Sequence, residues 1–294
     1  MGRDFAECSP AARAVFEKAN RLLGWDLTVL CFQGPAERLE QTDIQQPAIF
    51  VTSAAIWEAW LAAGGSRDEF ACAGGLSLGE YTALYAAGAL SFEDALRLVH
   101  RRGQLMQQAA SASPSGMVCL IGADSATAEA VCQEVRDAQV LVPANYNCPG
   151  QIVIAGDKAA CERATSTAEK HGLRAVSLAV AGAFHTPLMQ SAADELSGVL
   201  DEVEFHSPRI PVISNVDAEY HGTPPEISRK LALQVTRPVR WQACVERMVG
   251  AGVTRFVEFG PGRVLTGLLR KIDRKLQAVN IATAEALGQP ASPT

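Results

Sequence analysis

The chain has 294 residues, with 26 Lys+Arg against 32 Asp+Glu and a formal net charge of −6. Hydrophobic residues at 48% and charged residues at 20% are ordinary globular composition, which excludes wholesale disorder, and the acidic balance argues against a nucleic-acid binder. No apolar run approaches the ~18–20 residues that cross a bilayer. The amino-terminal MGRDFAECSP lacks the apolar stretch of a secretory signal, and the length suits about two domains or one large one.

In chain order, residues 5–23 read as a helix, because Ala12, Val15, Phe16, Ala19 and Leu22 recur at steps of three and four. Gln46-Pro47 opens a second helix that stops at Gly64-Gly65. A short apolar strand at 70–73 leads through GGLSLGE into a small-residue helix, and the Ser91–Asp94 box starts a helix running to about 110. After the polar breaker SASPSG the pattern becomes strand, helix, two strands around Cys148-Pro149-Gly150, helix, strand. That βαββαβ order over roughly 114–181 is ferredoxin-like and suggests an inserted small domain. From 182 the chain returns to mixed α/β, with a strand at 210–215, helices near 225–235 and 240–250, a strand at 255–259, a Gly-Pro-Gly turn and a last helix. Residues 1–113 and 182–285 then form the large domain, and 286–294 a disordered tail.

The eight cysteines include no C-x-x-C pair and read as reduced core residues, and the five histidines show no ligand spacing, so no metal and no cofactor is expected. This reading, with the missing signal and missing membrane span, expects a cytoplasmic protein.

Gly75-Leu76-Ser77-Leu78-Gly79 is the strongest local signal. A serine at a sharp strand-to-helix turn exposes its hydroxyl, and the helix that follows favours a developing oxyanion, with the Leu78 backbone N–H as its donor. A turn without chemistry carries the same letters. Arg102 shares the apolar stripe of its helix with Ala95, Leu98, Val99, Met106 and Ala109, whereas Arg101 lies with Asp94, Arg97, Gln104 and Gln108 on the solvated face. A buried guanidinium needs a partner, either an Asp or Glu of the chain or a substrate carboxylate held bidentately. His185, in AGAFHTPLM after a strand, is first among the five histidines as a general base for Ser77. Asn145 and Asn147, two apart on a strand, face one way and are candidate ligand contacts, though a satisfied pair of turn-forming side chains before Pro149 is the plainer account of them. Gly260-Pro261-Gly262 lacks a phosphate-binding fingerprint and reads as a tight turn.

Taken together, QQPAIF (45–50), GLSLGEYTAL (75–84), RRGQLMQ (101–107), NYNCPGQIVIAG (145–156), GAFHTPLM (182–189), ISNVD (213–217), Gln234 with Arg237-Pro238-Val239 and Trp241, and FGPGRVLTGL (259–268) resemble the malonyl-CoA:acyl carrier protein transacylases. The resemblance implies an α/β-hydrolase-like large domain with a ferredoxin-like insert. It implies that Ser77 attacks a malonyl thioester, that His185 is the base and that the Gln234 carbonyl orients it. It further implies that Arg102 holds the malonyl carboxylate and that Phe184 crowds a methyl branch. The partners implied are malonyl-CoA and the phosphopantetheine thiol of holo-acyl carrier protein, in fatty-acid synthesis. An acidic carrier calls for a basic patch, for which Arg263, Arg270, Lys271, Arg274 and Lys275 are candidates, though a solvated helix face accounts for most of them more simply. Two departures stand out. Leu76 occupies a position usually held by His, and the family's leading apolar strand and Gly-Gln-Gly-x-Gln loop, the source of a second oxyanion N–H, are not in this chain. The expectation is that the coding region upstream of Met1 supplies them; a stand-alone polyketide-type acyltransferase or acyl hydrolase, or a catalytically impaired homologue, are the alternatives.

Overall fold

The computed structural model describes residues 1–288; the start of the expected disordered tail is instead part of a short helical turn, Ala284–Gly288, with Ala286 buried, and residues 289–294 lie outside the described residues. The first expected helix is two, Arg3–Cys8 and Pro10–Leu23. Ser9 breaks the run: its backbone is extended, its Oγ accepts the Ala12 N–H at 3.3 Å, and Pro10 takes the first helical position, where a missing N–H costs nothing. The second helix begins at Thr42 rather than Gln46 and runs to Ala62 with Pro47 inside it. Proline there removes a single backbone bond, and the polar residues upstream continue the spiral. This helix is buried around its whole circumference, from Ile44 and Phe50 to Trp57 and Trp60, and is the axis of the main apolar core.

Residues 115–177 form a four-stranded sheet from β1 (Ser115–Ile121), β2 (Leu141–Cys148), β3 (Gln151–Asp157) and β4 (Arg174–Ser177) in the order β2-β3-β1-β4, antiparallel throughout. Helices Ser125–Val135 and Lys158–Ala168 cross between the strands and pack Val131, Cys132, Ala160 and Ala164 onto Leu120, Leu141, Ile152 and Ile154. Short apolar runs bounded by turn residues mark these strands in the sequence, and the central two, β1 and β3, are buried on both faces. The fourth is shorter than its apolar run, because Leu178 and Val180 stand exposed beyond it.

Strands β5 (Arg255–Phe259) and β6 (Gln277–Ile281) pair in parallel across the helix Val264–Ile272. The segments expected as strands at 70–73 and 210–215 are reduced to bridges: Ala73 pairs with Val212 in parallel, and Ile213 with Tyr220. Two backbone bonds, Ala73 N–H to the Pro211 carbonyl at 2.8 Å and Ile213 N–H to the Ala73 carbonyl at 3.0 Å, are enough to lay the two segments side by side. That placement brings the loop after each, 74–77 and 214–216, to one point of the molecule. The Gly260-Pro261-Gly262 turn is closed to a phosphate, since the Glu258 carboxylate already accepts the Leu265 and Thr266 N–H groups at 2.9 Å each.

Candidate active site

Ser77 sits at φ 51°, ψ −103°, a backbone setting that costs a non-glycine residue on the order of 1–3 kcal/mol and persists only where the surroundings impose it. Here they do. A Cβ on Gly75 would lie 2.1 Å from the Gly79 carbonyl carbon, so the elbow closes only on glycine at 75. Gly79 is different, because a Cβ there meets nothing within 4 Å. Asn215 clamps the turn from the neighbouring segment, accepting the Ser77 N–H on Oδ1 at 2.6 Å and donating Nδ2 to the Gly75 carbonyl at 2.9 Å. Helix Leu78–Ala86 starts immediately after, and the Leu78 N–H makes no hydrogen bond among the described residues. Leu76 turns into an apolar cluster with Cys72, Tyr220, Trp241 and Val245, a setting that suits leucine.

The Ser77 Oγ lies 2.9 Å from His185 Nε2. His185 is itself in the left-handed region, at φ 62°, and its Nδ1 donates to the Gln234 carbonyl at 2.7 Å, which fixes the proton on Nδ1 and leaves Nε2 as the acceptor facing the hydroxyl. Burial, and secondarily the Arg102 cation, push the imidazole down to about 4, with the Gln234 carbonyl opposing. The ring is therefore neutral at physiological pH and able to take a proton.

Arg102, 1% exposed, reaches the same point from helix Phe92–Ala112. Its Nη2 donates to Ser77 Oγ and to Gln234 Oε1, each at 2.9 Å, and its Nη1 to Gln46 Oε1 at 2.5 Å. Its guanidinium lies 5.4 Å from the Tyr81 ring centroid. All three hydrogen-bond acceptors are neutral, and among the described residues no carboxylate lies within 4 Å of the guanidinium. Burial draws its pKa below the ordinary value. Neighbouring Arg101 instead pairs with Glu195 at 3.0 Å on the half-exposed face. Of the two partners open to Arg102 at the sequence level, the intramolecular ion pair is absent from the described residues.

The structure thus brings Ser77, Leu78, Arg102, His185 and Gln234 together. Phe184, half-buried beside His185, packs against the buried cluster of Met117, Ala144, Val153 and Ala183. Asn145 and Asn147 lie on β2, Asn145 opposite Val153 and Asn147 in the bulge between Tyr146 and Cys148. Both are buried, and among the described residues no side-chain hydrogen bond joins either to Ser77, His185 or Arg102. His221, which no local pattern singles out, is buried and 2.8 Å from Glu80. Gln46, Glu80, Asn215 and His221 escaped the reading from residue types. The signal for Glu80 was available: it lies on one helical stripe with Ala83, Leu84 and Ala87, as Arg102 does on its own helix. Among the described residues no group of three His, Cys, Asp or Glu has a metal-binding arrangement, and no helix is long and apolar enough to cross a membrane.

The sequence model of the acyl transferase domain family matches residues 1–291. The malonyl CoA-acyl carrier protein transacylase of Bacillus subtilis (strain 168) is 40% identical over 289 residues, covering 98% of this chain and 90% of that protein. Its Salmonella typhimurium (strain LT2) counterpart is 42% identical over 293 residues, covering 99% and 92%. Among solved structures, the malonyl CoA-acyl carrier protein transacylase of Coxiella burnetii is similar with a TM-score of 0.95 at 38% identity, covering 98% of this chain and 90% of that one. A malonyl-transacylase in complex with its type II polyketide acyl-carrier protein gives 0.94 at 41% identity, covering 98% and 93%.

Proposed function

The chain belongs to the acyl transferase domain family, and from that premise we propose that it moves a malonyl group from malonyl-CoA to the phosphopantetheine thiol of acyl carrier protein, in fatty-acid synthesis. The observation that carries this reading is a guanidinium buried without a carboxylate partner and hydrogen-bonded to the hydroxyl of a strained serine. A buried cation among neutral acceptors is costly until an anion arrives. A short acyl group with a free terminal carboxylate supplies that anion while presenting its thioester to Ser77.

In the first half-reaction Ser77 gives its proton to His185 Nε2 as its Oγ bonds to the thioester carbon; the C–S bond breaks and the CoA thiolate takes the proton back. In the second half the carrier thiol gives its proton to His185, its sulfur attacks the seryl ester, and the released Oγ is reprotonated. The Leu78 N–H, unpaired at a helix start, stabilises the oxyanion in both steps. Gln234 holds the imidazole through its carbonyl, and Phe184 limits bulk beside it. Asn145 and Asn147 enter this reading only as part of the wall between the sheet and the elbow, since Asn145 bridges Val239, five residues beyond Gln234. No cofactor or metal enters any step, and a CoA thioester substrate places the protein in the cytoplasm. The sheet of β1–β4 with its two helices is the ferredoxin-like insert of this reading, and the remainder the hydrolase-like body. The carrier docks on the exposed Arg263, Arg270, Arg274 and Lys275; Lys271 is already bonded to Gln151 at 2.9 Å.

Brief exposure to malonyl-CoA is expected to add about 86 Da, the malonyl increment, on the peptide containing Ser77, and holo-carrier to remove it as malonyl-carrier. No adduct on the wild type, or an adduct that persists in Ser77→Ala, overturns the reading. Free malonate released irrespective of carrier points to a hydrolase instead.

A further inference from the structure

Glu80 is a fully buried carboxylate that the chemistry above does not use. It accepts three hydrogen bonds, from the Gln234 Nε2 at 2.8 Å, the Asn215 backbone N–H at 2.9 Å and His221 Nε2 at 2.8 Å. Among the described residues no lysine or arginine is within ion-pair distance of it. A buried carboxylate paired only with hydrogen-bond donors is an expensive element, and a glutamine of the same shape would fill the volume without the charge.

What the charge accomplishes is visible in the Gln234 carboxamide. That amide stands between an anion and a cation: its Nε2 faces Glu80 and the Ser77 carbonyl, and its Oε1 faces Arg102 Nη2. With a carboxylate on one side and a guanidinium on the other, only one orientation of the amide satisfies both, and the opposite orientation sets oxygen against oxygen and N–H against N–H. The amide oxygen then fixes one arm of the Arg102 fork, whose other arm rests on Gln46. The same carboxylate anchors the backbone of Asn215, whose side chain clamps the Ser77 turn.

We propose that Glu80, held from behind by His221, is a positioning residue for acyl selectivity: through the Gln234 side chain it aims the Arg102 fork at the space beside Ser77. This rests on the malonyl-transfer reading and adds to it a second layer of residues that touch no substrate.

The test is the ratio of kcat/KM for malonyl-CoA to that for acetyl-CoA, which a loss of folded protein does not move. In Glu80→Gln the carboxamide at 80 can donate or accept, so residue 80 no longer enforces the Gln234 orientation and only Arg102 does; the ratio is expected to fall about tenfold, the scale of one charge-assisted hydrogen bond. His221→Gln keeps a donor to Glu80 and preserves the ratio, whereas His221→Leu lowers it. Gln234→Leu is expected to lower the ratio by itself and to abolish any further effect of Glu80→Gln, so the double variant equals the single. If Glu80→Gln does not fold, the His221→Leu/Gln234→Leu pair makes the same comparison. A malonyl/acetyl ratio unchanged in Glu80→Gln, or effects that multiply in the double variant, overturns the proposal. A wild type that shows no malonyl preference overturns the function it rests on as well.

Discussion

The four-stranded sheet and the Ser77 elbow are built on opposite principles. The sheet's core between β1–β4 and their two helices is apolar: Val118, Leu120, Val131, Leu141, Ile152 and Ile154 fill it with two cysteines, Cys132 and Cys161, and among the described residues no buried charged side chain enters. The elbow buries Glu80, Arg102, His185, Asn215, His221 and Gln234 within one network in which each group answers another. The first arrangement maximises apolar burial and tolerates hydrophobic exchange. The second forgoes that gain to hold a cation and a base each one hydrogen bond from the same hydroxyl. A substitution in one region should change stability, and in the other chemistry, with little crossing over.

The sharpest break of this contrast is Arg102→Met, which keeps the volume and the apolar stripe while removing the fork. Malonyl kcat/KM is expected to fall by about 10²–10³, the order lost with a key charge-stabilising donor, while acetyl transfer changes little. The same variant carries a pH signature. In the wild type, kcat/KM should stay level from neutral pH down to about 5 and halve near the depressed value of about 4 that burial and the Arg102 cation give His185. Removing the cation leaves burial, the larger cause, so the midpoint should rise toward 6.5 without reaching it. Because the folded imidazole titrates below the unfolded one, the unfolded chain binds more protons between pH 6.5 and 4, and stability should decline as pH falls through that window. A midpoint that stays in place in Arg102→Met would detach the cation from the base.

In the sheet the matching change is Ile154→Ala on β3, fully buried against the two helices. It should cost about 3 kcal/mol in denaturant unfolding through lost transfer energy and the cavity left behind, and leave the malonyl/acetyl ratio unaltered. A shifted ratio would show that the insert couples to the elbow, and the division between the two regions would fail.

The same contrast explains what could be read in the amino-acid sequence. Short apolar runs between turn residues mark the strands of the sheet, and 3.6-residue periodicity marks the odd cation at Arg102. The G-x-S-x-G letters gave Ser77, but its flanking context, not its composition, carried the information. His185 ranked above four other histidines only weakly until the resemblance to a family was drawn. His221 and Asn215 stand in segments with no period, and their burial follows from long-range placement: residues 213–221 lie against residue 73 through two backbone bonds that no local pattern encodes. For the same reason the strands expected at 70–73 and 210–215 shrank to single bridges, since pairing between distant segments and not local propensity sets how far a ladder extends. The bulge at Asn147 on β2 is likewise a product of strand pairing that no local pattern reports.

The smallest expected effect separates the two glycines that the G-x-S-x-G pattern treats alike. Gly75 meets the Gly79 backbone so closely that any side chain would force the turn apart, whereas Gly79 lies inside helix Leu78–Ala86 with a conventional backbone and open space where its Cβ would be. Glycine in a helix is entropically poorer than alanine. Gly79→Ala should therefore raise stability by about 0.5–1 kcal/mol in denaturant unfolding and leave formation of the malonyl-serine adduct intact. If instead the alanine slows adduct formation without lowering stability, the open space beside Gly79 is where the acyl group sits. The second glycine of the motif would then belong to the substrate and not to the turn.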